Sequence, residues 1–211
     1  MAQPRTIKIE PRSLEDIRHL LNVAKLRKPF IFKESASQSG RPKSVLIKSD
    51  IDLYLREQFA FDGRAYYVSQ FIDYRSKDGL YRKYRFYVIG NKILPGFLMI
   101  SKKWEIHNDD QAHKEMSKER AKVEEEEKNF LKQFKKKTMH LFREIKEKTA
   151  LDYFAIDCTF DKQNRPIIFK VSTEKHFLSP EKTMGYYSQK QVDGLFESFE
   201  TMLIDKLNDR R

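Results

Sequence analysis

Residues 153–160 and 165–171 are two short segments rich in β-branched and aromatic side chains, and four residues separate them. Segments of this composition on either side of a short polar turn predict a β-hairpin. In such a hairpin Asp157 lies diagonally across from Lys170 on the same face, with their Cα atoms ~7–8 Å apart. The sequence therefore predicts an ion pair between these two side chains.

The remaining predicted elements group into two α+β lobes. In the first lobe Ser13 begins a helix through a capping box with Asp16. The other elements of that lobe are strands at 29–33, 44–48 and 64–72 and a helix at 49–55. The second lobe has a hairpin that turns at Gly90 and Asn91, a charged helical region at 113–148 and a C-terminal helix that begins at 188. The predicted domains are residues 1–72 and 73–211.

The charge of the chain favours an anionic partner. Its 211 residues include 42 Lys and Arg against 31 Asp and Glu, a net charge of +11. Such an excess suits a nucleotide, a polyphosphate, a nucleic acid or an acidic lipid surface. We interpret the acidic run at 124–127 and the lysines at 135–137 as solvated helix faces. No nucleic-acid motif accompanies the charge, so nucleic acid is the least favoured of these partners.

Cysteine use and hydropathy predict a cytoplasmic protein without a membrane partner. The single cysteine, Cys158, excludes an internal disulfide framework and fits a reducing compartment. No apolar run approaches the ~20 residues that are needed to span a bilayer. By strand alternation Cys158 faces the core, and we interpret it as a packing residue.

Two stretches of the first lobe have residue types that suit a nucleotide. Lys33 ends a strand and precedes a Ser- and Gly-containing loop, an arrangement that can contact phosphate oxygens. The strand that ends at Asp73 leads into the second lobe, and its backbone could hydrogen-bond an adenine while Asp73 lies near a ribose. The alternatives are a solvated lysine and an ordinary connecting strand.

Lys83 and Arg85 lie on one face of the predicted strand 81–89, and Tyr84 and Phe86 lie on the other. Two cations on an inner face would need a buried anion to offset their desolvation, and a phosphate group would supply it. The alternative is a strand that turns a basic face to water.

An ordered set of motifs resembles the ATP-grasp superfamily, which includes glutathione synthetase, ribosomal-protein glutamate ligases and D-alanine ligases. The set comprises D-G-x-Y-R-K-Y-R at 78–85, Pro95, W-x-x-H at 104–107, an acidic helix at 126–131 and L-D-Y-F-x-I-D at 151–157. The resemblance covers residues 12–204. It implies an ATP-grasp-like α+β fold with a nucleotide cleft between two lobes. The predicted lobes begin near the first residue, so we expect no separate N-terminal substrate domain of the kind that many such ligases have.

The resemblance also implies a mechanism, in which ATP phosphorylates a carboxylate and an amine attacks the acylphosphate. Lys33 and Lys83 would bind phosphate, and Arg85 would meet the transferring phosphoryl group. Asp157 would hold magnesium, and His107 would line the pocket of the acceptor, whose identity the sequence leaves open. The residues expected along the adenine and ribose are Gln70, Phe71, Ile72 and Asp73.

The chain departs from the family pattern in its last strand. The family has F-E-x-N where this chain has Phe169, Lys170, Val171 and Ser172. Lys170 thus places an ammonium where the family has a metal-bridging glutamate, and Glu174 is the remaining candidate ligand on that strand. We therefore expect a domain that binds ATP with little or no magnesium and is impaired in ligase chemistry, with Arg85, Asp157 and Lys170 at its centre. The alternatives are an active ligase or polyphosphate kinase with rearranged metal ligands, and a basic non-catalytic binding module.

Overall fold

The computed structural model describes residues 4–35, 43–48, 55, 59–106, 120–133, 140–173 and 189–209. The chain divides into two compact units, Gln3–Asp73 and Tyr74–Arg211 with the first two residues. We call them the N-terminal unit and the C-terminal unit. None of the described helices is long and apolar enough to cross a membrane.

The N-terminal unit is a four-stranded antiparallel sheet with one described helix, α1 (Leu14–Val23). Its strands are β1 (Thr6–Ile9), β2 (Phe30–Glu34), β3 (Ser44–Ile47) and β4 (Tyr66–Gln70), in the order β1-β4-β2-β3. The predicted helix cap is confirmed, since the Asp16 backbone N–H donates to Ser13 Oγ at 3.0 Å. Strand β1 was not predicted. The helix predicted at 49–55 lies outside the described residues except for Leu55.

The C-terminal unit has a second four-stranded antiparallel sheet, in the order β6-β5-β7-β8. Its elements are β5 (Tyr81–Ile89), β6 (Lys92–Ser101), α2 (Arg120–Gln133), α3 (His140–Thr149), β7 (Tyr153–Phe160), β8 (Pro166–Ser172) and α4 (Gln189–Asn208). Gly90 has a φ of +55° and turns β5 into β6, as the sequence predicts. Both predicted hairpins are therefore present, and the α+β class is confirmed.

Alternation along β5 and β7 sorts their side chains onto two packed faces. One face packs on α3 through large side chains that include Phe86, Phe142 and Phe154, each worth ~1.5–3 kcal/mol when fully buried. Cys158 belongs to this face and is buried, as predicted. The opposite face packs on α4, where Tyr87, Ile89 and Ala155 of the sheet contact Leu195 and Met202.

Helix α2 packs on β6, the edge strand of the second sheet, and carries the acidic run at 124–127. The prediction that these four glutamates are solvated is wrong for Glu127, which is 4% exposed. Its Oε1 accepts the Ile100 backbone N–H at 3.0 Å and so satisfies an edge-strand donor. Glu126 accepts from Arg82 at 2.7 and 2.8 Å. Two of the four carboxylates thus bind β5 and β6.

Candidate functional site

A row of four directly opposed residues crosses the second sheet from β6 to β8. Phe97 pairs with Arg85, Arg85 pairs with Asp157, and Asp157 pairs with Lys170. Directly opposed residues of antiparallel strands project from the same face, with their Cβ atoms ~4.5–5.5 Å apart. The sheet therefore brings together the three side chains that the sequence analysis placed at the centre of the site.

Arg85 and Asp157 form a two-point ion pair in this row. Arg85 Nε donates to Asp157 Oδ1 at 2.6 Å, and Nη2 donates to Oδ2 at 2.7 Å. The guanidinium Cζ lies 4.4 Å from the centre of the Phe97 ring. The side chains are only 5% and 12% exposed. Burial opposes the charge on Arg85, but the hydrogen bonds and the charge of Asp157 outweigh it and raise the pKa of the guanidinium.

The anion that buried Arg85 requires is thus the chain's own carboxylate. The sequence predicts an anion beside Arg85, for which a phosphate group is one candidate, and in the structure this anion is Asp157. A planar guanidinium can donate two parallel hydrogen bonds to one carboxylate, and such bidentate, charge-assisted pairs are among the strongest polar contacts in proteins. Asp157 is held as the partner of Arg85.

The predicted ion pair between Lys170 and Asp157 is wrong. Lys170 lies directly across from Asp157, yet its side chain is exposed and forms no ion pair with another described residue. Two single-residue differences from the predicted register explain its position. The turn has five residues, because Phe160 pairs with Pro166, and Phe169 is an extra residue between the pairs of Cys158 and Asp157.

Bulges interrupt the sheet on both sides of the row. The first lies between Arg85 and Phe86, where Gly96 is the extra residue of β6, and the second is the bulge at Phe169. A Cβ at Gly96 would lie 2.9 Å from the Arg85 carbonyl oxygen and 2.9 Å from Tyr87 Cε2. Bulges are frequent next to active sites because they redirect side chains. Gly96 in a strand pattern was the sequence signal for the first bulge.

Lys83 lies two residues from Arg85 on the same strand, and its Nζ donates to the carbonyl oxygen of Ile106. Near this end of the sheet, the Tyr74 ring lies 4.8 Å from Tyr81 and 5.1 Å from Phe169 between centroids. The predicted separation of Lys83 and Arg85 from Tyr84 and Phe86 is confirmed, since Phe86 and Tyr84 pack in the core against α3. His107 lies outside the described residues.

The predicted nucleotide contacts of the N-terminal unit lie on β2 and at the end of β4. Lys33 is exposed and pairs with Tyr67 in the sheet. Gln70 donates its backbone N–H to Arg5 O at 2.8 Å and its side-chain Nε2 to Pro29 O at 3.1 Å. Phe71 donates its N–H to Pro29 O at 3.1 Å. The roles of Lys33, Gln70 and Phe71 toward a nucleotide, like those of Ile72 and Asp73, remain predictions.

The described residues around Asp157 do not fit a magnesium ion. Magnesium requires hard oxygen ligands, and both carboxylate oxygens of Asp157 accept hydrogen bonds from Arg85. The residue directly opposite is the cation Lys170. Nowhere in the described ranges do three or more His, Cys, Asp or Glu side chains cluster as metal ligands. Glu174 lies outside the described residues.

No protein-family model and no curated protein sequence matches the chain. Among solved structures, the chain is similar to a RiPP-associated ATP-grasp ligase from Chryseobacterium gregarium, in complex with ADP and a leader and core peptide. The TM-score is 0.55 at 12% identity, over 97% of this chain and 55% of the ligase. The chain has an ATP-grasp fold. The fold that the motif order predicted is therefore confirmed.

Two further solved ATP-grasp structures are similar to the chain at lower TM-scores. For the ADP complex of purK, N5-carboxyaminoimidazole ribonucleotide synthetase, the TM-score is 0.49 at 11% identity, and the match covers 83% of this chain and 41% of the synthetase. For the D-alanine-D-alanine ligase from Coxiella burnetii, the TM-score is 0.47 at 11% identity, and the match covers 98% of this chain and 55% of the ligase. The chain thus spans about half the length of these ATP-grasp enzymes.

Proposed function

We propose that the chain is an ATP-binding ATP-grasp domain that resembles carboxylate–amine ligases and is impaired in metal-dependent catalysis. The observation that carries the proposal is the buried two-point pair of Arg85 and Asp157, with Lys170 directly across from Asp157. A fold whose solved examples include complexes with ADP supports nucleotide as the ligand. The acceptor that a ligase would require is unspecified.

The charge of the row suits phosphate better than a divalent cation. It has two cations, Arg85 and Lys170, against one carboxylate, Asp157. Because Arg85 and Asp157 neutralise each other, the ammonium of Lys170 is the charge that the row presents to solvent. An exposed ammonium attracts phosphate oxygens and repels Mg²⁺. We therefore propose Lys170 as a phosphate contact, and Arg85 and Asp157 as the pair that shapes the site beside it.

The other contacts of the proposed nucleotide site follow the resemblance. Lys33 and Lys83 are proposed phosphate contacts, and residues 70–73 are proposed to line the adenine and ribose. A reducing compartment such as the cytoplasm suits the single buried thiol of Cys158.

A calorimetric titration with ATP tests the proposal, with Lys170→Ala and Lys162→Ala as a matched pair. Both lysines are exposed and lie on the same hairpin, but Lys162 is in the turn and off the row. We expect ATP to bind the wild type and the Lys162 variant equally, and the Lys170 variant about tenfold more weakly, which is the loss of ~1.4 kcal/mol.

A coupled assay for ADP release tests the second half of the proposal. We expect no sustained ADP release in Mg²⁺, with or without small-molecule carboxylates and amines. The absence of ATP binding would refute nucleotide binding. Acceptor-stimulated ADP release would refute impaired catalysis and identify an active ligase or kinase.

A further inference from the structure

Helix α4 has an apolar stripe on the side that does not pack on the sheet. Its inner face is buried through Val192, Leu195 and Met202. The outer stripe consists of Phe196, Leu203, Ile204 and Leu207, which are 55%, 48%, 51% and 66% exposed. We call these four residues the α4 ridge. At about 100° per residue, Phe196, Leu203 and Leu207 fall within ~40° of one another on the helix surface.

The α4 ridge concentrates the exposed apolar surface of the described part of the chain. Eight large apolar side chains are exposed there, and four of them belong to the ridge. A fifth, Leu151, immediately precedes Asp152, whose carboxylate pairs with Lys206 of the same helix at 3.1 Å. Contiguous apolar surface of this kind is rare on monomeric proteins and marks sites of interaction.

Carboxylates lie beside the α4 ridge on the side of Ile204. Glu200, Asp193 and Glu197 are exposed and lie about 20°, 40° and 80° from Leu207 around the helix, in the direction of Ile204, at ~100° per residue. The helix as a whole has four carboxylates and two lysines, while the chain has a net charge of +11. One of those lysines, Lys206, is paired with Asp152. The ridge is thus an acidic apolar surface on a basic protein.

We propose that the α4 ridge binds a basic amphipathic helix of a partner protein. Two apolar helix faces bury each other, and lysines or arginines beside the partner's apolar face would meet Glu197 and Glu200. A second copy of the chain is a poorer occupant, because an α4–α4 contact brings the carboxylates of both copies together. An anionic lipid surface is repelled by the same carboxylates. The proposal does not depend on nucleotide binding.

The test uses two fluorescein-labelled synthetic helices of about 18 residues, or five turns. One has a leucine face flanked by lysines, and the other has the same leucines flanked by glutamates. We expect the Leu/Lys helix to bind the whole protein at least about tenfold more tightly than the Leu/Glu helix, a difference of ~1.4 kcal/mol. This order is opposite to the one that the net charge of +11 favours, so nonspecific attraction cannot produce it.

Three variants locate the binding surface. The double variant Leu203→Gln with Leu207→Gln should bind the Leu/Lys helix at least about tenfold more weakly. Val23→Gln is the control, since Val23 is an equally exposed apolar residue, 66%, on α1 of the other unit. Glu197→Lys with Glu200→Lys keeps the ridge and should reverse the preference toward the Leu/Glu helix. Circular dichroism checks that each variant is folded.

Three results would overturn the proposal. The first is tighter binding of the Leu/Glu helix by the wild type, or binding of neither peptide. The second is unchanged binding by the Leu203 and Leu207 double variant. The third is dimerisation of the wild type in sedimentation velocity that the same double variant abolishes, since the occupant would then be a second copy.

Discussion

Replacing Asp157 with asparagine should strongly destabilise the C-terminal unit. Asparagine has nearly the same shape, but it removes the charge that balances Arg85, which is only 5% exposed. Removing one partner of a buried ion pair typically costs ~3–5 kcal/mol, because the other charge remains buried without compensation. At ~2–4 °C of Tm per kcal/mol for a protein of this size, the expected decrease in Tm is ~6–20 °C.

The fluorescence of Trp104, the only tryptophan, reports this transition because it lies in the C-terminal unit. Glu144→Gln is the matched control: Glu144 pairs with Lys148 in the same unit, but both side chains are more than half exposed, so we expect little change. A double replacement, Arg85→Met with Asp157→Leu, should restore most of the lost stability, because apolar residues of similar size need no counter-charge.

A Tm for Asp157→Asn equal to that of the Glu144 control would refute the structural role of the pair. So would a double replacement that is at least as unstable as the single one. In either case Asp157 would be available to bind a ligand, as the sequence analysis expected.

Three further predictions concern single groups. Burial raises the pKa of Glu127 to about 8, above its value in the unfolded chain. The free energy of unfolding should therefore fall as the pH rises from about 5 through 8. Glu127→Gln should remove this pH dependence, as measured by urea unfolding. Gly96→Ala should lower the free energy of unfolding by ~1–3 kcal/mol, because the added Cβ would lie too close to the Arg85 carbonyl oxygen. Gly194→Ala has open space around it and should raise the free energy of unfolding by up to ~1 kcal/mol in the same assay. Burial raises the pKa of the Cys158 thiol, so it should react with a disulfide reagent only after unfolding.

Local sequence signals were sufficient to predict most strands and one helix start. The side-chain patterns of 81–89 and 153–160 predicted both central strands of the second sheet, and Gly90 predicted the turn between β5 and β6. Ser13 gave the start of α1. Strand β1 was missed because its four residues form too short a pattern to distinguish from coil.

The sequence could predict that Arg85, Asp157 and Lys170 lie close together, but not which of them pair. Arg85, Asp157 and Lys170 were identified from the sequence, but the partner of Asp157 depends on register across three strands. A single extra residue, Phe169, changes which residue lies directly opposite Asp157. Burial of Glu127 was missed for a related reason, since its role depends on the uncovered edge of β6, which only the sheet order reveals.

The most direct measurement is the affinity of the wild-type protein for ATP in EDTA and in excess Mg²⁺. Because Arg85 occupies both oxygens of Asp157 and Lys170 lies opposite, we predict equal affinities in the two conditions, and a gain of magnesium dependence in Lys170→Glu. ATP binding by the wild type that requires Mg²⁺ would contradict this prediction, because Asp157 would then have to leave Arg85 or other ligands would have to hold the metal.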